Sequence, residues 1–236
     1  MKIKTKLWIF PLVVIGFVSL LLNACSKSND TIPVTQSPTS VTDIDGNVYQ
    51  IVSIGTQTWM KQNLKVRHYR NGDSISYVTN AMSWNNLTTG ACCDFNNVAA
   101  NTTTYGKLYN FYAVNDVRKI APVGWHVSTD AEWTTLKTFL GGENTAGGKL
   151  KEAGTSHWIT PNTAATNSNG FTALPGGFRF SDGTFDVSSI GHTGLWWTST
   201  VNASNAWYLT MNFDAAFVGR DSGVKGSGYS VRCVKD

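Results

Sequence analysis

The chain is poor in charge. Asp, Glu, Lys and Arg make up only 14% of its 236 residues, against about 25% in ordinary soluble domains. No run of five like charges occurs. The formal charge of +4 owes much to Lys2, Lys4 and Lys6; without that leader, 16 basic residues face 15 acidic ones. Such a balance lacks the basic stripe that neutralises phosphates, which argues against a nucleic-acid partner. Histidine is also scarce: His68, His126, His157 and His192 share no metal-ligand spacing. No Gly-x-Ser-x-Gly or Cys–His arrangement marks a nucleophile. The few acids stand mostly beside Gly or Asn in turn-like contexts, a poor setting for paired catalytic carboxylates. Hydrophobic residues, by contrast, reach 42% and aromatics 12%, with nine Trp. That suffices for a sizeable core and excludes a disordered chain.

The N-terminus carries an address. Three lysines precede the uncharged run LWIFPLVVIGFVSLLL at 7–22, followed by Leu22-Asn23-Ala24-Cys25. This is the layout of a secretory signal peptide. The cysteine after a small residue resembles a bacterial lipobox, although Asn23 is not the commonest residue at its place. The resemblance implies a leader over 1–24 and a diacylglycerol thioether on Cys25, through which the chain would hold a membrane. A membrane span fits less well: the run is short of the ~20 residues a bilayer needs, and Pro11 and Gly16 interrupt it. More than one acyl chain gives stable anchoring. Ser26, rather than an acidic residue, follows the cysteine. By resemblance to lipoprotein sorting, the expected location is the outer membrane, on an undetermined face. The polar stretch SKSNDTIPVTQSPTS reads as a tether, giving 25–40 for lipidated cysteine and tether. Residues 41–236 are then one domain without internal repeats.

Along that domain, Val41–Ile54 reads as a hairpin turning at Asp45-Gly46-Asn47. Asp43, Asp45 and Asn47 have the spacing of a calcium loop, but Val48 and Ile54 stand where that loop needs Gly and Glu. The Asn/Thr/Gly-rich residues 70–104 read as a surface excursion. Lys107–Arg118 has helical spacing. Gly124–Val127, with Trp125, reads as a short strand. Thr129-Asp130-Ala131-Glu132 is a capping box, in which Glu132 closes the N-terminus of a helix carrying Trp133, Leu136 and Leu140 on one face. Gly194–Thr200 and Asn205–Phe213 read as strands. In the second, Trp207, Leu209, Met211 and Phe213 alternate with polar residues as in a half-buried antiparallel strand. Residues 228–235 read as a last strand near the first. The expected class is α+β, with two short helices and several antiparallel strands.

The blocks DIDGNVYQIVSIGTQTWMKQNL, YGKLYNFYAV, PVGWHVSTDAEWTTL, GFTALPGGFR, GLWWTST, NAWYLTMNF and GYSVRCVKD occur in that order. Together they closely resemble the Fibrobacter succinogenes major paralogous domain over nearly all of 41–236. More remotely, the pattern resembles the C-type-lectin and formylglycine-generating-enzyme superfamily. This implies a lectin-like fold with termini close together; a fold does not fix a function. The family usually carries a Cys just before Pro-x-Gly-Trp, which would pair with the last strand's cysteine; here Ala121 stands there. Apart from Cys25, the cysteines Cys92, Cys93 and Cys233 are odd in number. At least one is therefore unpaired within the chain, and a bond from Cys92 or Cys93 to Cys233 stays open. Formylglycine-generating enzymes bind copper through a cysteine pair in the C-terminal part of the fold. Only Cys233 lies there, so we expect no such activity, no metal and no cofactor.

Recognition is the remaining function class. Trp196 and Trp197 are adjacent on a strand, so their side chains face opposite ways. Either one leaves the core or loops cover both. An exposed ring stacks on sugars, with Asn, Asp and Arg supplying directed hydrogen bonds. Asn205, Tyr208, Asn212, Asp214 and Arg220 are suitable types in the region where a lectin-like fold presents ligands. The calcium-dependent sugar motifs of C-type lectins are missing, so sugar binding would be calcium-independent. Protein recognition, as an adhesin or surface scaffold, is the alternative, because Asn/Tyr/Gly-rich loops make adaptable contacts. Arg232 in the last strand is expected to be structural, forming an ion pair or capping carbonyls.

Overall fold

A computed structural model describes residues 39–236. Cys25, the leader at 1–24 and the tether up to residue 38 lie outside the described residues; Ser40 belongs to the first strand. β1 (Ser40–Thr42) pairs antiparallel with β2 (Val48–Ile54), with Val41 opposite Tyr49. Asp43 makes the turn. Its carboxylate accepts the N–H groups of Asp45 and Asn47, the Asn47 amide and the Tyr49 hydroxyl. These bonds commit both carboxylate oxygens to the turn itself.

β2 continues into β3 (Gln57–Met60). The last strand, β12 (Cys233–Lys235), lies between β3 and β7 (Trp125–Val127), completing a sheet in the order β1-β2-β3-β12-β7. The N-terminal hairpin and the C-terminal strand therefore share one sheet. A second sheet has the order β10-β9-β8-β11, from β8 (Thr193–Asn202), β9 (Asn205–Asn212), β10 (Gly219–Val224) and β11 (Ser230–Val231). The class is α+β.

Helices number five among the described residues, not two. α1 (Ala81–Asn85), α2 (Ala99–Tyr105) and α3 (Phe111–Val114) are short; α4 (Asp130–Phe139) and α5 (Glu143–Leu150) follow the capping box. The capping box is complete: the Thr129 hydroxyl accepts from Glu132 N–H at 3.2 Å, and Glu132 Oε2 accepts from Thr129 N–H at 2.7 Å. Trp133, Leu136 and Leu140 are buried as their spacing predicts. Gly141 ends the helix at φ 97°, a conformation that glycine adopts without strain.

Two expectations are corrected. Residues 70–104 are not a surface excursion. They form β4 (Ser76–Tyr77), α1, β5 (Ala91–Cys93) and α2, and β5 joins β4 to β6 (Leu108–Tyr109) in a third sheet. Trp84, Ala91, Cys93, Phe95 and Leu108 make a core cluster there. Asn80 accepts from Ser83 N–H at 2.9 Å, opening α1, and Asn97 and Asn101 donate to the carbonyls of Thr79 and Phe95. The helix expected over 107–118 shrinks to Phe111–Val114, because Leu108 and Tyr109 are held in a strand by Cys93 and Cys92. The three described cysteines are free and buried. Burial pushes the Cys92 and Cys93 thiols up to about 12, and raises Cys233 as well. They act as small core hydrophobes. Ala121 and Cys233 occupy the same core cluster.

The β10-β9-β8-β11 sheet is covered on both faces. One core, with Phe111, Tyr229 and Val231, takes Trp197 and Ala206. The other, with Trp59, Trp133 and Phe171, takes Trp196, Leu209 and Met211. Arg232 is fully buried where the sheets meet. It donates to the carbonyls of Met60, Lys61 and Phe171 and to Asn63 Oδ1, at 2.6–3.0 Å. Of the two structural roles expected for it, carbonyl capping is the one observed. Burial pulls its guanidinium down to about 9. Among the described residues, no helix is long and apolar enough to cross a membrane.

Candidate functional site

Trp196 and Trp197 are both fully buried. Each indole N–H is satisfied inside: Trp196 donates to Asn63 Oδ1 at 2.8 Å and Trp197 to the Tyr109 carbonyl at 2.9 Å. Neither offers a ring to a ligand, which corrects the place given them as binding residues. The alternation argument put them on opposite faces, correctly, but both faces of this sheet are cores.

The accessible ring is Trp207. Among the described tryptophans, Trp59, Trp84, Trp125, Trp133, Trp158, Trp196 and Trp197 are buried, and Trp207 alone is half-exposed. It shares a face of β9 with Leu209 and Met211, as its spacing indicated. Those two lie under the helical layer, whereas Trp207 stands near the β8–β9 turn, where Asn202 pairs with Asn205. There the cover ends.

Arg220 completes the arrangement. It sits on β10, and its guanidinium carbon lies 3.4 Å from the Trp207 ring centroid, a cation–π contact. Asp130, at the first turn of α4, holds the guanidinium with two bonds: Nε to Oδ1 at 2.6 Å and Nη2 to Oδ2 at 2.9 Å. Asp130 N–H is in turn 3.1 Å from Thr200 Oγ1. The hydrogen bonds to Asp130 raise the Arg220 pKa against a smaller opposing effect of burial. β8, β9, β10 and α4 thus converge on an aromatic ring with a fixed cation over it. A half-open ring of this kind suits the apolar face of a sugar, and the nearby Asn205 and Ser222 can supply hydrogen bonds.

The other sequence-derived candidates divide. Asn205 and Arg220 lie at this end of the sheet, beside Trp207. Tyr208 points to the opposite face, half-buried, with its ring 4.9 Å from Tyr229 and 6.1 Å from Trp197. Asn212, with Asp214 just beyond it, lies at the far end of β9, about 17 Å from Trp207 at ~3.3 Å per residue. There Asn212 Oδ1 accepts from the Thr193 hydroxyl at 3.0 Å. The Asn212 carbonyl receives Lys151 Nζ at 3.0 Å. Lys151 is buried, which lowers its pKa to about 8, partly offset by Asp214. Asn212 and Asp214 therefore belong to the setting of a buried lysine, not to the Trp207 end.

Sequence reasoning missed Trp207 and Asp130. Trp207 read as an inward residue of an alternating strand; its distance from the hairpin turn was the available signal. Asp130 read only as part of a capping box. Glu132, expected to be structural, has a second role. His126 on β7 is held between Glu132 Oε1 and Asp236 Oδ1, both at 2.7 Å. Burial of the ring opposes its charge, but the two carboxylates outweigh that and raise the His126 pKa. Trp125 and Trp133 are core residues, as expected.

Residues 52–235 match the family model described as the Fibrobacter succinogenes major domain. The chain belongs to that family. The match begins inside β2 and ends in β12, so it takes in Trp207, Arg220 and Asp130 but not the Asp43 turn. No curated protein and no solved structure matches this Fibrobacter succinogenes major domain chain.

Proposed function

We infer that this chain is a cell-envelope lipoprotein whose domain is a non-catalytic, lectin-like recognition module binding polysaccharide without calcium. The lectin-like arrangement and the outer-membrane anchor on Cys25 rest on the resemblances in the sequence. The binding role rests on one observation: among the described tryptophans, the only ring not sealed in a core is Trp207, and it is held at the open end of a rigid sheet by Arg220 and Asp130. An indole left half-open and pre-oriented costs little ordering entropy on binding, which suits it to stack on a sugar.

The test is a titration of Trp fluorescence with a panel of plant and host polysaccharides. The expected result is a saturable change with at least one glycan, with and without EDTA, that Trp207→Ala abolishes while the melting temperature is kept. Silence across the panel, together with specific capture of a defined protein, would replace polysaccharide by a protein ligand. A calcium requirement would overturn the metal-independent reading.

A further inference from the structure

A second, separate pocket lies on the other core's side of the molecule. It is an open depression of about 350 Å³ between the Thr88–Gly90 loop, α3 and the residue after β10. Phe111 forms its floor. Thr88, Thr89, Tyr112, Asn115 and Lys225 surround it. Among the described residues, none of these five side chains has a hydrogen-bond or ion-pair partner. Thr89 and Lys225 engage their neighbours only through backbone carbonyls, which accept from the Asn110 amide and Phe111 N–H. Thr88, Thr89 and Asn115 are exposed and Tyr112 and Lys225 half-buried, so the polar groups at this depression are open to an arriving ligand.

The charges narrow the ligand. Arg118 and Asp116 also line the pocket, but they answer each other: the guanidinium is committed to Asp116 at 2.8–2.9 Å and to Asp73 at 3.0 Å. Lys225 is the lining cation without a carboxylate of its own, and its ammonium lies 5.9 Å from the Phe111 ring centroid. Thr and Tyr hydroxyls and the Asn amide both donate and accept, matching hydroxyls that do the same. The wall at Gly90 is fixed from behind. A Cβ there would come within 2.0 Å of the Tyr69 hydroxyl and 2.9 Å of Ala113 Cα, so only glycine lets the loop close on α3.

We propose that this pocket binds a single sugar residue bearing a carboxylate, a uronic acid unit, with the carboxylate on Lys225 and the ring hydroxyls on Thr88, Thr89, Tyr112 and Asn115. The site does not depend on Trp207. It would add recognition of an acidic terminal residue to whatever the open end of the sheet contacts.

The experiment uses the full chain in detergent, with methyl glucuronide, methyl glucoside and N-acetylglutamate as probes. Binding is read by saturation-transfer NMR and calorimetry. Methyl glucuronide is expected to bind at least about tenfold more tightly than methyl glucoside, the margin of a charge-assisted hydrogen bond. Lys225→Met should erase that margin, Asn115→Ala should weaken both glycosides, and Trp207→Ala should leave all three titrations unchanged. Three results would overturn the proposal: no saturation transfer to the glucuronide at millimolar concentration, equal binding of the neutral glycoside, or N-acetylglutamate binding as well as the glucuronide. The last would point to an acidic peptide. Should Lys225→Met fail to fold, the probe comparison on the unaltered chain and on Asn115→Ala decides alone.

Discussion

Arg232 and Arg220 both place a guanidinium over an aromatic ring, one at 4.4 Å from Phe171 and the other at 3.4 Å from Trp207. Their surroundings differ completely. Arg232 is sealed where the sheets meet and is satisfied by neutral carbonyls and Asn63, with no carboxylate among its bonds. Arg220 stands at the open end of the second sheet and is held by one partly exposed carboxylate. A cation caught by several buried carbonyls cannot exchange partners without opening the core, because each stranded acceptor is expensive inside a protein. An exposed ion pair contributes little to stability and is easily traded for a ligand. The same residue pair is thus a rivet in one place and a handle in the other.

Mutation of the sealed region should give the largest effects. Trp197→Ala or Trp196→Ala is expected to cost about 3–5 kcal/mol in urea unfolding, since each empties a close-packed core. If either substitution proved nearly neutral, the two-sided burial of this sheet would be wrong. Arg232→Met should cost about 3 kcal/mol, through the bonds lost by the carbonyls of Met60, Lys61 and Phe171, while Asn63 Oδ1 keeps the Trp196 indole donor. Asp130→Asn, at the open end, should change stability by no more than about 1 kcal/mol. It should nonetheless alter the glycan-induced fluorescence change, because Arg220 is no longer fixed over Trp207. A loss of stability as large as that of Arg232→Met would dissolve the contrast.

The smallest effect is a pH dependence at His126. Its pKa is raised in the folded chain by Glu132 and Asp236, against an ordinary value of about 6.5. Its contribution to stability is fully present below the unfolded value and is lost as pH rises through the higher folded value. With the ring about one-third exposed, that contribution stays below about 1 kcal/mol. Melting temperatures of the unaltered chain and His126→Gln, compared from mildly acidic to mildly alkaline pH, should converge as pH rises. A constant gap would show that the ring's charge contributes nothing.

Much of this contrast is legible in the sequence. The Asp43–Asn47 turn, the Thr129–Glu132 capping box, the strands around Trp197 and Leu209 and the structural standing of Arg232 are local signals, and local physics decides them. What escaped depends on tertiary cover. An alternating strand says which residues share a face, not whether a helix reaches far enough to cover each of them. Trp207 therefore reads as a companion of Leu209 and Met211, and the alternation at Trp196 and Trp197 leaves open whether one ring is exposed or both are covered; the structure shows both covered. Residues 70–104 mislead by composition, because Asn80 is a cap and Asn97 and Asn101 tie backbone carbonyls rather than solvate a loop. Asp130 could not be matched to Arg220 from sequence, as nothing local links residues so far apart. Asn212 and Asp214 are near Arg220 along the chain, but they lie at the Lys151 end of β9, away from Trp207.

The measurement that bears most directly on the account is a glycan titration of Trp207→Ala beside Trp196→Phe, both first shown to be folded by near-UV circular dichroism. The account predicts that Trp207→Ala keeps its cooperative melt and loses the response, while Trp196→Phe keeps the response at reduced stability. Retention of the full response by Trp207→Ala would contradict it.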